Sequence, residues 1–318
     1  MSGFAYRVDR ERVERIELGD ALTCDRGELV WVHLTTGDDG ARAWLAGEAG
    51  LDEYVVDALT AAETRPRCDQ FEDGALVNLR GRSDVELGTT DPLASVRIWA
   101  TRGHVFSVTR KPLSAMKEVE RCVGAGKVHD PGDLIAEFAT AITADLDPQV
   151  ADLGDRLDGC EESLHSGKIY ELRQNVNRVR SEAIGYRRFL NPQRGALEKL
   201  AGLPGEWIQP DDRLHLTAAA DRAARMAEEL EAIRERSALV HDALTDMRAE
   251  QLDQRGLVLS VAALVFLPLT FVTGLYGMNV EGLWFADRPW AFDAIAGLCL
   301  VIATAITGYF VRRRWVSR

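Results

Sequence analysis

The sequence predicts an α+β membrane protein with an N-terminal α/β cytoplasmic domain, a long helical hairpin, a stalk helix and two C-terminal transmembrane helices. Three observations lead there. Nearly all the uncharged length of the 318-residue chain lies in its last fifth. Strand-like runs alternate with short helical patterns between residues 4 and 110. After Pro131 the apolar residues recur at helical spacing over stretches longer than an ordinary globular helix.

With 46% hydrophobic and 28% charged residues, composition excludes disorder and collagen-like repetition. Formal net charge is −12, and residues 256–318 carry five basic against three acidic side chains, so residues 1–255 hold −14. A body that acidic repels nucleic acid and gathers cations; no nucleic-acid partner is expected. Cys24, Cys68, Cys122, Cys160 and Cys299 show no CxxC spacing, which argues against a disulfide framework and a zinc ribbon and for reduced thiols. Met1 to Asp20 has no apolar core of signal-peptide length, so the first 255 residues are expected to stay in the cytoplasm.

The α/β domain, residues 1–130, has strand-like runs at Glu28–Leu34, Ala75–Leu79, Val96–Ala100 and His104–Thr109, with helical stretches near Ala41–Ala49 and Asp52–Ala62. It contains no GxGxxG, GxxxxGKS or GxSxG, and the chain has no HExxH. No catalytic centre is legible, and the chain is expected to be neither an enzyme nor the holder of a cofactor.

Residues 131–209 read as a helix over Pro131–Ser166, a break at Ser166–Gly167, an antiparallel helix over Lys168–Asn191, and a loop holding Pro192, Gly202, Pro204, Gly205 and Pro210. Asp211 or Asp212 then N-caps a stalk helix over 210–255 that meets no proline until Pro268. Unbroken to about Gly277, it is about 100 Å long. Met226, Leu230, Ile233, Val240, Leu244 and Met247 keep a 4,3 spacing along it, interrupted by Ser237. Such a stripe packs on other helices, of this chain or of another copy.

Gly256–Val280 and Ala294–Val311 are charge-free runs of 25 and 18 residues. Each spans about 30 Å of hydrocarbon at about 1.5 Å per residue, which sets transmembrane segments at 256–278 and 291–312, an external loop at 279–290 and a basic tail at 313–318. Arg248 and Arg255 precede the first span and Arg312, Arg313 and Arg314 follow the second, so both termini are expected in the cytoplasm. Trp284, Trp290 and Trp315 sit at interfacial positions.

One face of the first span is small or polar: Asp246, Ala249, Asp253, Gly256, Ser260, Ala263, Leu267, Thr270, Gly274, Gly277. Tight helix packing, with Ser260 and Thr270 bonded to the preceding turn, explains it; so does a water-filled path, which two spans can enclose only in an oligomer. Asp253 continues the face into the cytoplasm, where copies around an axis would form a cation-concentrating ring. At the outer end stands Tyr276-Gly277-Met278-Asn279. Glycine lets carbonyls approach a hydrated ion, and the Asn279 amide offers a neutral oxygen. Such a ring suits a strongly hydrated divalent ion held through its waters.

Gly277-Met278-Asn279 at the end of the penultimate span, followed by a short loop, a last span and a basic tail, resembles the CorA superfamily of divalent-cation transporters. The resemblance covers nearly the whole chain. ETRPRCDQFEDGALVNLRG (Glu63–Gly81), SVRIW (Ser95–Trp99) and ADRAARMAEELEAIRER are most similar to its ZntB branch, which is associated with zinc. The resemblance implies a funnel-shaped homopentamer in the inner, or plasma, membrane, with the stalk helix lining the pore. It implies Gly277, Met278 and Asn279 as the selectivity filter, Thr270 and Leu267 as pore-facing, and Leu259, Gly256 and Asp253 at the inner gate; the stripe read from spacing has Ser260 in place of Leu259. With Ala263 and Gly274 these are the expected pore-lining residues. Asn279, Asp253 through water, and weakly Glu281 are the expected metal contacts. The loop Val280-Glu281-Gly282-Leu283-Trp284 departs from both the acidic ending of magnesium-selective members and the glycine-proline ending of the ZntB branch.

Zinc favours imidazole and thiolate, magnesium favours oxygen and water. None of the six histidines, His33, His104, His129, His165, His215 and His241, pairs with another at i, i+4 spacing; His104 and His241 are the first to test. Three functional classes follow: a Zn²⁺ transporter with a Mg²⁺/Co²⁺ channel as the alternative cargo, a membrane-anchored metal-sensing scaffold without transport, and, least supported, a tethered enzyme.

Overall fold

The computed structural model describes residues 2–9, 12–23, 29–35, 40–62, 65–72, 74–84, 93–166, 169–205, 207–278 and 288–316. The chain divides into two units, Met1–His241 and Asp242–Arg318.

The first unit is built on a seven-stranded sheet. Its strands are β1 (Ser2–Val8), β2 (Val13–Ile16), β3 (Leu29–Thr35), β4 (Arg67–Gln70), β5 (Gly74–Arg82), β6 (Leu93–Thr101) and β7 (His104–Thr109), in the order β2-β1-β3-β7-β6-β5-β4. Only β3 and β7 run parallel. Helices α1 (Gly40–Gly47) and α2 (Glu53–Thr60) follow β3 and cover one face, where Val30, Val32, Leu34, Trp44, Leu45, Val56, Leu59, Leu76, Trp99 and Phe106 form the core. Alternation turns Trp31 and His33 of β3 to the other face, where Trp31 meets Phe138 of α4 (Pro131–Glu162) edge-on at 5.7 Å. Burial on both faces explains why β5 and β6 read as continuous runs rather than alternating ones.

The strand expected at His104–Thr109 is found to the residue, while β5 and β6 extend the expected runs at both ends. Strands β1, β2 and β4, and helix α3 (Met116–Gly124), were not anticipated, although Met116, Val119, Cys122 and Val123 of α3 are buried at helical spacing. In β1 and β2 the charges are accommodated across the ladder: Arg7 stands opposite Glu14 and bonds it at 3.0 Å.

Asp130 caps α4 by accepting from Asp133 N at 2.9 Å, with Pro131 at the first helical position. A short 3-10 turn, Ser163–Ser166, leads to α5 (Ile169–Ala201). The loop expected to begin at Pro192 is helix instead, through Ala201. Proline forfeits one helical hydrogen bond and costs about 3 kcal/mol there. Burial of Leu190, Ala196, Leu197 and Leu200, and the Gln193 side chain, whose Oε1 accepts from Arg80 N of β5 at 2.7 Å, offset that cost.

Helix α6 (Pro210–Tyr276) is continuous over 67 residues and contains Pro268. Met226, Leu230, Ile233 and Val240 are buried and Met247 is half-buried. Within the first unit α6 is tied to helices of the same chain: Arg187 of α5 pairs with Glu231 at 2.9 Å, and Arg236 reaches Asp158 and Glu161 of α4 at 2.5 and 2.7 Å. Ser237, the polar interruption, is fully buried and donates to Ile233 O at 2.7 Å. Among the described cysteines, Cys68, Cys122, Cys160 and Cys299 are free; burial pushes the Cys68 and Cys122 thiols up to about 11, which makes them inert. Cys24 lies outside the described residues.

The second unit contains the rest of α6 and α7 (Ala291–Val316). The last helix runs through Arg312, Arg313 and Arg314 to Val316, so the basic tail begins as helix. Both helices are long and apolar enough to cross a membrane, and neither apolar window is buried in the protein.

Candidate ion-conducting face

The membrane part of α6 has two distinct sides. Val261, Val265, Leu269, Val272 and Tyr276 are half-buried, and at about 100° per residue they project in one direction. On α7 the half-buried residues are Ile295, Cys299, Ile302, Ala303, Ile306 and Phe310, again one face at helical spacing. This is the pattern of two helices lying side by side. The small and polar stripe falls on the diametrically opposite side of α6: Gly256, Ser260, Ala263, Leu267, Thr270 and Gly274 are all exposed, as are Asp253 and Leu259. Within the chain, α7 therefore leaves the stripe uncovered.

The hydroxyls of the stripe are tied back to the helix. Ser260 Oγ donates to Gly256 O at 2.9 Å and Thr270 Oγ1 to Phe266 O at 2.8 Å. These are the bonds that the packing reading requires. They also leave the oxygen lone pairs outward, because a hydroxyl has one hydrogen and two acceptor sites. Neither histidine nor cysteine occurs between Asp242 and Met278, so the face offers a cation only oxygen and hydrocarbon.

At its outer end α6 closes with Gly277 N donating to Thr273 O at 2.9 Å. A Cβ on Gly277 would stand 3.2 Å from that same oxygen, so a side chain there would crowd the helix terminus. Met278 is exposed. Asn279 and Glu281 lie outside the described residues, as does most of the external loop.

Other polar groups gather in the first unit where spacing gave little warning. Ligand atoms of Asp130, Asp133 and Asp212 lie within 4.8 Å of one another, as do those of Glu118, Cys122 and Glu137. Asp212 is buried, and burial foremost, with Asp130 and Asp133 adding repulsion, raises its carboxyl to about 7, against the Gln209 N–H bond that favours its charged form. Asp130 is the N-cap of α4 and Asp133 lies one turn on, while Asp212 stands 79 residues further along the chain. Arg80 and Arg97 are buried inside β5 and β6.

The histidines do not form a metal site among the described residues. His33 is buried, and desolvation lowers it to about 4. His104 stacks against Phe106 at 6.4 Å and is lowered by burial. His129 and His215 pair with Asp133 and Asp211 on the surface.

Comparison with known proteins places these features in context. Residues 26–314 match the family described as CorA-like Mg²⁺ transporter protein. The zinc transport protein ZntB of Pectobacterium atrosepticum is 28% identical over 94% of this chain and 91% of its own length. The divalent cation transporter CmaX of Pseudomonas aeruginosa is 32% identical over 99% of this chain and 94% of its own. The structure of full-length CmaX superimposes with a TM-score of 0.82 at 30% identity, covering 98% of both chains. The CorA magnesium transporter of Methanocaldococcus jannaschii shares the fold, with a TM-score of 0.82 over 98% of both chains at 18% identity.

Proposed function

This chain belongs to the CorA-like Mg²⁺ transporter family, whose members move divalent metal cations rather than catalyse reactions, and we propose that it carries Zn²⁺ through a pore lined by α6. The observation that carries this reading is the orientation of α6: its small, oxygen-bearing stripe faces away from α7 and is left for identical stripes of other copies. Five copies around an axis form the homopentamer, with the stripe enclosing water.

In this arrangement Gly277, Met278 and Asn279 form the outer selectivity ring. Thr270 presents hydroxyl oxygens below it, and Gly274, Ala263 and Gly256 keep the corridor wide. Leu267 and Leu259 add apolar constrictions that hold or release water. Asp253 concentrates cations at the cytoplasmic end, and Glu281 adds a carboxylate at the mouth. The protein lies in the inner, or plasma, membrane, with both termini cytoplasmic, because Arg248, Arg255 and Arg312–Arg314 flank the spans on one side. The domain limits at 130, 209, 255, 278, 290 and 312 serve this plan.

Zn²⁺ rests on the ZntB relatives. Mg²⁺ or Co²⁺ is the second cargo, favoured by one observation: the stripe holds only the hard oxygen donors that suit Mg²⁺ and its waters. The test is divalent uptake into proteoliposomes loaded with a fluorescent indicator. Asn279→Leu is expected to abolish uptake with the oligomer intact. Unchanged uptake removes the outer ring, and no flux of any divalent ion in the unaltered protein leaves a membrane-anchored scaffold instead. Competition between Zn²⁺ and Mg²⁺ in the same assay decides the cargo.

A further inference from the structure

The acidic first unit contains one concentrated patch of the opposite sign. Strand register sets Arg67, Asn78 and Arg97 in one row across β4, β5 and β6, next to the row of Leu76 and Trp99 where the apolar core of that face ends. Arg80 follows two residues on and stacks over Phe189 of α5, its guanidinium carbon 3.8 Å from the ring centre. Asn78 Nδ2 donates to Arg65 O at 2.9 Å, which fixes the chain entering β4 beside this row. Beside these residues opens a groove of about 650 Å³, lined by Arg65, Arg187, Arg188 and Arg234 with Ile184 and Pro192.

Among the described residues, carboxylates do not balance this groove. Glu231 is shared by Arg187 at 2.9 Å and Arg234 at 2.5 Å, and Glu235 only reaches 4.0 Å from Arg234. Arg65 and Arg188 make no ion pair among the described residues. Arg97, in the row with Arg67 and Asn78, is 2% exposed; burial first, then Arg110, Arg80 and Arg67, push its guanidinium down to about 10. Like charges held together in a protein of net charge −12 repel one another unless an anion joins them.

We infer that the Arg65–Arg187–Arg188–Arg234 groove binds a phosphate-bearing anion of polyphosphate size. Guanidinium forks match phosphate oxygens two at a time, which lysines could not do as well. The volume exceeds one phosphate and accommodates a chain of them, and Ile184 with Pro192 gives an apolar patch for an attached organic group. The shared chemistry is a polyphosphate, supplied either as an inorganic chain or as the tail of a nucleotide. This inference stands apart from the pore, since no residue of α6 beyond Arg234 takes part.

The test is calorimetric titration of the full-length protein in detergent, free of divalent ions, with tripolyphosphate, ATP and adenosine. Tripolyphosphate and ATP are expected to bind once per chain and adenosine not at all; tighter binding of ATP identifies the nucleotide as the source, equal binding the inorganic chain. The double variant Arg65→Glu/Arg188→Glu is expected to weaken binding at least about tenfold. Arg178→Glu, the same kind of charge change at an exposed position of α5 outside the groove lining, leaves it unaltered. The double variant Arg65→Lys/Arg188→Lys keeps the charge and loses the forks, so it gives intermediate weakening and a readout should the glutamates prevent folding. No binding by the unaltered protein overturns the inference and assigns the groove to ion pairs within or between subunits. Equal binding by the glutamate and unaltered proteins overturns it as well.

Discussion

His33 Nδ1 lies 2.8 Å from Ser107 Oγ, across the parallel pairing of β3 and β7 in which the two residues face each other. Trp31 Nε1 donates to the same Ser107 oxygen at 2.8 Å, the serine hydroxyl has His33 Nδ1 and, at 3.4 Å, Val32 O as acceptors, and His33 Nε2 faces Thr109 Oγ1 at 3.3 Å. The group Trp31, Ser107, His33, Thr109 is satisfied by a neutral imidazole in either tautomer.

Protonating His33 would place a charge inside a dry layer. Its folded value, about 4, lies below the ordinary 6.5, so the unfolded chain binds the proton first and stability falls as pH drops from about 6.5 to about 4. The loss is on the order of 3 kcal/mol. Thermal or denaturant unfolding followed by tryptophan fluorescence should show this slope, and His33→Gln should flatten it relative to the unaltered protein; an identical slope in both would refute the neutral-imidazole assignment.

Asp212 has the opposite sign. Its folded value, about 7, lies above the ordinary 3.8, because burial and the neighbouring Asp130 and Asp133 hold the proton on; His129 is paired with Asp133 at 3.3 Å. The stability it contributes is complete below about 4 and is lost as pH rises through about 7. Asp212→Asn keeps an acceptor for Gln209 N and cannot ionise, so the variant should gain on the unaltered protein between pH 4 and 8. A constant difference across that range would count against a protonated Asp212.

Gly74 starts β5 opposite Thr101 of β6. A Cβ there would lie 2.1 Å from Ala100 O, a backbone atom fixed in the ladder. Gly74→Ala should therefore cost about 2 kcal/mol or more, read as a lowered denaturant midpoint. A cost below about 0.5 kcal/mol would mean that the β5–β6 end rearranges freely.

The two sides of α6 should respond differently to bulk. Gly274→Leu places a large side chain on the uncovered stripe and is expected to cut divalent flux about tenfold or more, whereas Val272→Leu, on the side toward α7, leaves flux within about twofold. The vesicle assay described above measures both. Equal effects would place the stripe against lipid rather than water. Asp253→Asn is expected to lower flux about twofold to fivefold at low ionic strength and less at high salt.

Much of this architecture was legible from patterning alone. The two membrane helices follow from length without charge, since a stretch such as Gly256–Val280 has no other stable surroundings. The stripe from Gly256 to Gly274 follows from helical periodicity, a local property of one element. Strand β7 was equally plain because its flanks are marked by a turn and a charged loop.

What periodicity left open was settled where distant segments meet. Pro192 reads as a helix end, yet burial of Leu197 and Leu200 and the Gln193 bond to β5 outweigh the missing N–H. The charged β1 gives little strand signal because its stability comes from pairing Arg7 with Glu14 and from the neighbouring β3. Asp212 meets Asp130 and Asp133, and Arg65 meets Arg187, Arg188 and Arg234, only after helices 50 to 170 residues apart along the chain pack together. Sequence by itself determined where the long helices begin, which of them can live in lipid, and which face of α6 is small and polar, because those depend on each residue and its near neighbours. Tertiary structure decided which charges are buried and how they are answered, because desolvation depends on what the rest of the chain places around them.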